Sequence, residues 1–364
     1  MRNRGRAAAT VLVLLALLCA CGYGSRREQG YDQAPVAAGA KRTDGLDAVT
    51  IGYFPNLTHA TALVGVERGL LQRELGGTRL RTAVFNAGPS EIEALNSGSI
   101  DMGWIGPSPT VNSYVVSGGR SLRIVSGSAS GGVKLVVDPR KIKSPGDLRG
   151  RRIATPQLGN SQDVAFLNWI AERGWKVDPQ SGRGDVSVVR TDNRITPDAF
   201  RSGAIDGAWV PEPTASKLVA EGGRVLLDES ALWPDHRFVI TNLVVSQRFL
   251  AAHPEAVEAV LRGSVRTNAW INAHPDAARA TANAALRRLS GKALPPDVLD
   301  PAFRSIRVTD DPLAATLAVQ AEHAVRAGLL DRPELRGIYD LAPLRRVLAA
   351  EGGPTVDDAG LGIR

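Results

Sequence analysis

The chain predicts an α/β fold of two similar lobes, each a mainly parallel sheet flanked by helices, completed by a largely helical C-terminal segment. Three observations carry that expectation. The stretch SGSIDMGW at residues 97–104 returns as SGAIDGAW at residues 202–209, and both copies run on into a Pro-x-Pro, Pro107-Ser108-Pro109 and Pro211-Glu212-Pro213. Strand-like and helix-like segments alternate around each copy, the pattern of parallel sheets. After Ser246 the pattern changes to helices alone.

The elements follow in order from the N-terminus. Arg2, Arg4 and Arg6 precede an apolar run at residues 7–18 that is too short to span a bilayer, the arrangement of an export signal. It ends in Leu18-Cys19-Ala20-Cys21-Gly22, which has the form of a bacterial lipobox with Cys21 as the lipid-bearing residue. Residues 1–20 are thus expected to be a signal peptide. Residues 21–46 are rich in Gly, Ala and charge without apolar periodicity and are expected to form a flexible tether. With Cys19 removed and Cys21 acylated, no thiol remains for disulfide or thiolate chemistry.

The first lobe is expected over residues 47–138. Residues 49–54 are β-branched and aromatic and stop at Pro55-Asn56, and a helical spacing of apolar residues follows over 58–71. Residues 80–85 predict a second strand, Gly88-Pro89 opens a short helix that Gly98 stops, and residues 100–105 predict a third strand leading into a helix over 108–116. Further strands are predicted at 122–128 and 134–137.

The second lobe, residues 139–240, repeats the order. A strand at 152–155 leads through a loop at 156–160 to a helix over 161–172; a strand at 186–189 leads to a helix opened by Thr196-Pro197-Asp198 and stopped by Gly203. A strand at 205–210 then enters Pro211-Glu212-Pro213 and a helix to Val219. Residues 241–364 are expected to return to the first lobe, with helices at 255–270, 276–289, 313–327 and 343–349 and chain crossings near residues 138 and 240.

Composition narrows the function. The formal net charge of +7 falls to +4 without the three signal arginines, and the basic residues are dispersed among acids, so nucleic acid is a poor partner. The five histidines are scattered, and His253 and His274 merely precede Pro-acid helix starts. No HExxH, CxxC, GxSxG or phosphate-loop pattern is present. No cofactor, metal or catalytic residue is therefore expected. In open parallel sheets ligands sit beyond the carboxyl ends of the strands, where helix N-termini offer free N–H groups. The corresponding loops here, at 55–59, 86–90, 106–108, 156–162 and 211–212, are polar with few charges, and fit a small anionic headgroup.

Four segments carry a resemblance: IGYFPNLTHATALVG, FNAGPSEIEALNSGSIDMGWIGPSPT, RIATPQLGNSQDVA and GAIDGAWVPEPTASKLV. They resemble the substrate-binding proteins of ABC importers for aliphatic sulfonates, taurine and nitrate, together with related binders of pyrimidine precursors, over roughly residues 47–275. The resemblance implies a two-lobed periplasmic-binding-protein fold of type II that closes on its ligand, and permease and ATPase subunits as partners. A monomer without cofactor is expected, held through the lipid on Cys21 at the outer face of the cytoplasmic membrane. The implied ligand is a sulfonate or taurine, the alternative a pyrimidine or nitrate. An enzyme of the pyrimidine-synthesis type is disfavoured by the export signal. A sensor domain is disfavoured because no membrane-spanning helix or signalling segment follows the lobes.

The candidate ligand-binding residues are Asn56, Thr58, His59, Asn86, Gly88, Gly106, Ser108, Gln157, Asn160, Ser161, Gln162, Trp209 and Glu212. Several have two readings. Trp104 and Trp209 are core aromatics or cleft walls, and Ser161 is a helix cap or a ligand donor, whereas Thr196 reads as a cap. His59 reads as polar lining rather than a metal ligand. Glu212 is a solvated loop acid or the counter-charge for a ligand amine, since sulfonate binders place an aspartate in a Trp-Asp-Pro stretch near this position.

Overall fold

The computed structural model describes residues 40–363. The predicted signal peptide, Cys21 and the first part of the tether lie outside the described residues. In chain order the strands are β1 (Ala48–Tyr53), β2 (Arg79–Val84), β3 (Met102–Ile105), β4 (Leu122–Gly131), β5 (Val133–Val137), β6 (Arg152–Thr155), β7 (Ser187–Arg190), β8 (Gly207–Pro211), β9 (Arg224–Asp228), β10 (Val239–Ser246) and β11 (Ile306–Val308). The α-helices are α1 (Ala60–Glu67), α2 (Leu70–Leu75), α3 (Gly88–Ser97), α4 (Pro107–Val116), α5 (Ser161–Ala171), α6 (Thr196–Arg201), α7 (Thr214–Ala220), α8 (Gln247–Ala252), α9 (Pro254–Ala273), α10 (Pro275–Ser290), α11 (Pro296–Arg304), α12 (Ala314–Arg326) and α13 (Ala342–Ala350).

Two sheets result, in the orders β11-β4-β10-β3-β1-β2 and β7-β6-β8-β5-β9. Each contains a parallel trio built in the same way, β2-β1-β3 and β7-β6-β8. The remaining pairings are antiparallel, so the sheets are mixed rather than mainly parallel. The cause is the chain crossing. β4 ends at Gly131, and the chain enters β5 of the other sheet after Gly132 alone; β10 brings it back. A strand that arrives from the opposite sheet does not follow a crossover helix and pairs in the reverse direction. Gly131 and Gly132 adopt φ of 79° and 73°, values that favour glycine, so the first crossing falls at this pair rather than near residue 138.

The repeated sequence marks equivalent corners. Thr50 N–H donates to Asp101 Oδ2 at 2.8 Å while Asp101 N–H donates to the Thr50 carbonyl at 2.8 Å. In the other sheet Arg152 N–H donates to Asp206 Oδ2 at 2.9 Å and Asp206 N–H to the Arg152 carbonyl at 2.7 Å. Gly98 and Gly203, at φ 75° and 72°, end the preceding helices, as C-terminal glycines do. The Ser-Gly-x-Ile-Asp signature therefore encodes a helix stop and an aspartate that locks the next strand to its parallel neighbour.

Packing explains the departures from the predicted elements. The helix predicted over 58–71 is interrupted by Gly69 at φ 65°, and α1 is buried from Ala60 to Val66, so its sequence is apolar on all sides. The tether was expected to reach residue 46, but Thr43 N–H donates to Thr78 Oγ1 at 2.9 Å and Asp44 Oδ2 accepts from Ala256 N–H at 2.9 Å. Residues 43–44 thus dock on the first lobe. The four predicted C-terminal helices form, joined by α8, α11 and the three-residue β11; α11 carries Pro296 at its start and Pro301 within, which obscured it as a helix. One large core joins the first sheet to α9, α10, α12 and α13, and separate cores fill the second lobe.

Candidate functional site

A small cleft lies between the two sheets, at the carboxyl ends of the parallel strands. From the first lobe Asn56, Thr58, His59, Asn86, Gly88 and Gly106 line it, and from the second Asn160, Ser161 and Gln162. All nine are among the candidates. Phe54, Ala87, Pro109, Asn193, Pro211 and Ile240 complete the lining. No charged side chain stands among these lining residues.

Each wall has a local cause. β1 ends at Tyr53, and Pro55 turns the chain so that Thr58 Oγ1 reaches Asn56 Oδ1 at 2.8 Å. His59 sits just before α1 with its ring against Phe54, centroids 4.4 Å apart, and its Nδ1 accepts the Phe54 N–H at 3.2 Å. Burial lowers the His59 pKa from the usual histidine range to about 3, so the ring is neutral. The N-termini of α3, α4 and α5 converge on the cleft, and the partial positive charge of helix N-termini favours an anion there, although at α4 Pro107 and Pro109 carry no N–H and the Ser108 N–H goes to Ser161 Oγ. Their close approach demands glycine. A β-carbon on Gly88 would lie 2.3 Å from Pro109, and one on Gly106 would lie 2.7 Å from Ser161 Oγ.

The second lobe is braced from behind. Asn160 caps α5 by accepting Asp163 N–H at 2.9 Å, and its Nδ2 donates to Gln162 Oε1 at 3.0 Å. Fully buried Asp163 accepts from Thr155 Oγ1 at 2.7 Å, from Gly159 N–H at 3.0 Å and from Arg190 Nε at 3.0 Å. The two lobes touch where Ser108 N–H donates to Ser161 Oγ at 3.3 Å and Leu57 N–H to the Glu212 carbonyl at 3.1 Å.

Four candidates do not line the cleft. Ser108 lies in the same first turn of α4 with its hydroxyl buried and unpartnered, and half-buried Gln157 contributes its carbonyl to Asn160 N–H at 3.2 Å. Trp209 is a core residue: its Nε1 donates to Glu229 Oε2 at 2.6 Å, and its ring packs on Phe166 and Trp169 with centroids 5.5 and 6.0 Å away. Trp104 is likewise fully buried in the core of the first lobe. Glu212 is neither solvated nor open to a ligand amine. Lys134 stands opposite Val210 in the β5–β8 pairing, on the same face as Glu212 two residues on, and captures the carboxylate at 2.6 Å; Ser216 N–H and Oγ donate to it at 2.9 and 3.0 Å.

Sequence reasoning missed Asn193, whose loop follows β7 and so belongs to the same class of strand-end loops as those it selected. Phe54 and Ile240 were missed because apolar residues at strand ends look like core.

The sequence model of the NMT1-like family matches residues 43–286. A relative from Brucella abortus (strain 2308) is 30% identical over 217 residues, covering 58% of this chain and 63% of that protein. The taurine-binding periplasmic protein of Escherichia coli (strain K12) is 29% identical over 184 residues, covering 50% of this chain and 54% of its own length. The chain thus spans less than two thirds of these curated relatives. The alkanesulfonate-binding protein SsuA from Xanthomonas axonopodis pv. citri, solved bound to MOPS, superposes with a TM-score of 0.63 at 24% identity, covering 79% of this chain and 95% of that one. That likeness is one of fold. Since the family match takes in well over half of the 364 residues and both sheets, the chain belongs to the NMT1-like family.

Proposed function

We propose that this chain is the extracytoplasmic solute-binding component of an ABC importer, which captures a small sulfonate-type anion between its lobes and delivers it to a permease served by an ATPase. One observation carries the reading: three helix N-termini and a set of neutral donors converge on an interlobe cleft with no charged lining residue. A permanently ionised headgroup is held there by dipoles and hydrogen bonds and is released without breaking an ion pair. The names of the taurine-binding and alkanesulfonate-binding proteins to which the chain is similar support the same class of ligand. A binding role without catalysis fits the site. His59, the one titratable side chain in the lining, has Nδ1 committed to Phe54 and stays neutral, so it offers no base from that nitrogen.

Cys21 is the residue we propose to carry lipid, with the protein acting as a monomer at the outer face of the cytoplasmic membrane. Cys21→Ser should release the protein from the membrane or leave it unprocessed; unchanged retention and processing would refute the anchor. The ligand class is tested by calorimetric titration with straight-chain alkanesulfonates, together with small-angle scattering. Saturable binding accompanied by a more compact particle is expected, and the absence of binding across the series would refute the sulfonate reading.

A further inference from the structure

The returning C-terminal segment joins the lobes a third time. The chain crosses from β4 to β5 at Gly131-Gly132, and it crosses back in β10, where Val239 belongs to the first core and Ile240 to the second. α12 spans the same gap. Ala314, Leu317 and Ala321 in its earlier turns are buried in the first core, and the helix packs on α4. It also grips the crossing strand: Val239 N–H donates to Thr316 Oγ1 at 3.0 Å, and Gln320 Nε2 donates to the Val239 carbonyl at 2.8 Å. The beginning of α12 is therefore fixed to the first lobe and to the pivot.

The end of α12 is seated on the other lobe. The His323 ring lies 5.4 Å from that of Trp233, which stacks on Phe238 in the second core. Arg326 Nη1 donates to Asn168 Oδ1 and to Glu172 Oε1 of α5, both at 2.8 Å. Ala327 is buried in the second core and Leu329 packs against it, after which Leu330 turns back to the first core. Residues 323–329 do not line the cleft. Arg326 lies ten residues beyond Thr316, about 15 Å along the helix axis, so a rotation about the strand crossings that parts the lobes must drag α5 across it. In the conformation described, α5 is held twice by the first-lobe body: at its N-terminus, where Ser161 Oγ accepts the Ser108 N–H, and further along by Arg326.

We propose that the end of α12, from His323 through Leu329, is a latch that holds the second lobe in the closed position, so that ligand affinity is set in part by residues outside the cleft. The inference rests on the reading above that the lobes close on a sulfonate. A ligand that needs the closed lobes binds with an apparent affinity scaled by the fraction of the protein already closed. The latch raises that fraction without touching the ligand.

The experiment is titration calorimetry with ethanesulfonate, together with small-angle scattering, on the full chain and its variants. Ala327→Asp drives an unpaired charge into the second core and detaches the helix end, and its affinity should fall about tenfold or more. Arg326→Gln removes only the partly exposed bridge to α5 and should lose about threefold, with Arg326→Lys recovering most of it. The ligand-saturated variants should be as compact as the saturated parent, which separates a latch from a damaged cleft. Without ligand, Ala327→Asp should be a larger particle than the parent. Unchanged or tighter binding in the folded variants overturns the latch, since the helix end would then move with the second lobe or hold it open. Should Ala327→Asp not melt cooperatively, Arg326→Gln decides alone. A parent that compacts with ligand while the variants bind equally well refutes the latch and leaves the closing of the lobes intact. A parent that binds no ethanesulfonate refutes the sulfonate reading instead, and the ligand-free radii then decide the latch, equal radii overturning it.

Discussion

Lys134 Nζ lies 2.6 Å from Glu212 Oε1, with the carboxylate fully buried and the lysine side chain 13% exposed. The pair closes the foot of the second sheet where β5 and β8 run side by side, and Ser305 from the returning segment adds a donor at 3.4 Å. Glu212→Gln leaves the ammonium buried without its partner, which costs about 3–5 kcal/mol. A lower melting temperature is expected, with partial recovery in the Lys134→Met, Glu212→Gln double variant. Because Glu212 does not face the cleft, any loss of affinity should be the same for amino and plain sulfonates. Selective loss of the amino ligand would restore Glu212 to the site.

Glu91 presses against the backbones of paired β1 and β3. A β-carbon on Gly52 would lie 2.3 Å from its Oε1 and one on Gly103 2.4 Å, and neither carboxyl oxygen has a partner among the described residues. Burial raises its pKa well above the ordinary glutamate range, so the folded protein holds it protonated. The unfolded chain ionises near 4.5; the group's contribution is complete below that pH and declines as pH rises above it. Glu91→Gln removes the decline. Thermal unfolding at pH 5 and pH 8 should show the variant gaining on the parent at the higher pH, whereas a constant difference would mean the carboxyl is ionised.

The two repeat aspartates should differ in acid. Asp206 adds Lys141 Nζ at 2.6 Å and Arg152 Nη2 at 3.3 Å to its backbone clamp, and although burial opposes ionisation these bonds bring its pKa down to about 2. Its contribution is present above the unfolded value of 3.8 and is lost as pH falls toward 2. Asp101 instead has its pKa raised, chiefly by burial. Asp206→Asn should therefore flatten acid unfolding between about pH 4 and 2, and Asp101→Asn should not. Equal effects would show that the flanking cations contribute nothing.

Gly106 has φ of −71°, which any residue accepts, so the cost of Gly106→Ala falls on the approach of the lobes at Ser161 Oγ rather than on the backbone. An overpacked contact of this kind costs about 1–3 kcal/mol. Ligand affinity should drop roughly tenfold or more, with the ligand-saturated particle less compact by scattering. Undiminished affinity and full compaction would mean that the lobes close without this contact.

Much of the site was legible because its signals are local. Strand ends and helix starts are written in short stretches such as Pro55-Asn56 and Gly159-Asn160-Ser161, and the rule that ligands gather at the carboxyl ends of parallel strands turns them into one cleft. Glu212 and Trp209 were assigned by position along the chain alone. Whether a loop acid meets a ligand or a lysine depends on the neighbouring strand, and Lys134 is far from Glu212 in sequence although close in the sheet.

By itself the sequence determined the doubled architecture. Gly98 with Asp101 and Gly203 with Asp206 impose the same helix stop and strand lock wherever they occur, since a positive φ and a carboxylate bonded to a backbone N–H are short-range demands. The tertiary structure alone decided the mixed direction of the sheets, the pairing of Lys134 with Glu212 and the polarity of the cleft side chains. Those outcomes rest on which strand arrives beside which, and on which backbone N–H reaches His59, Ser161 or Asn160. A hydrogen bond between segments is settled only when the fold brings donor and acceptor within about 3 Å.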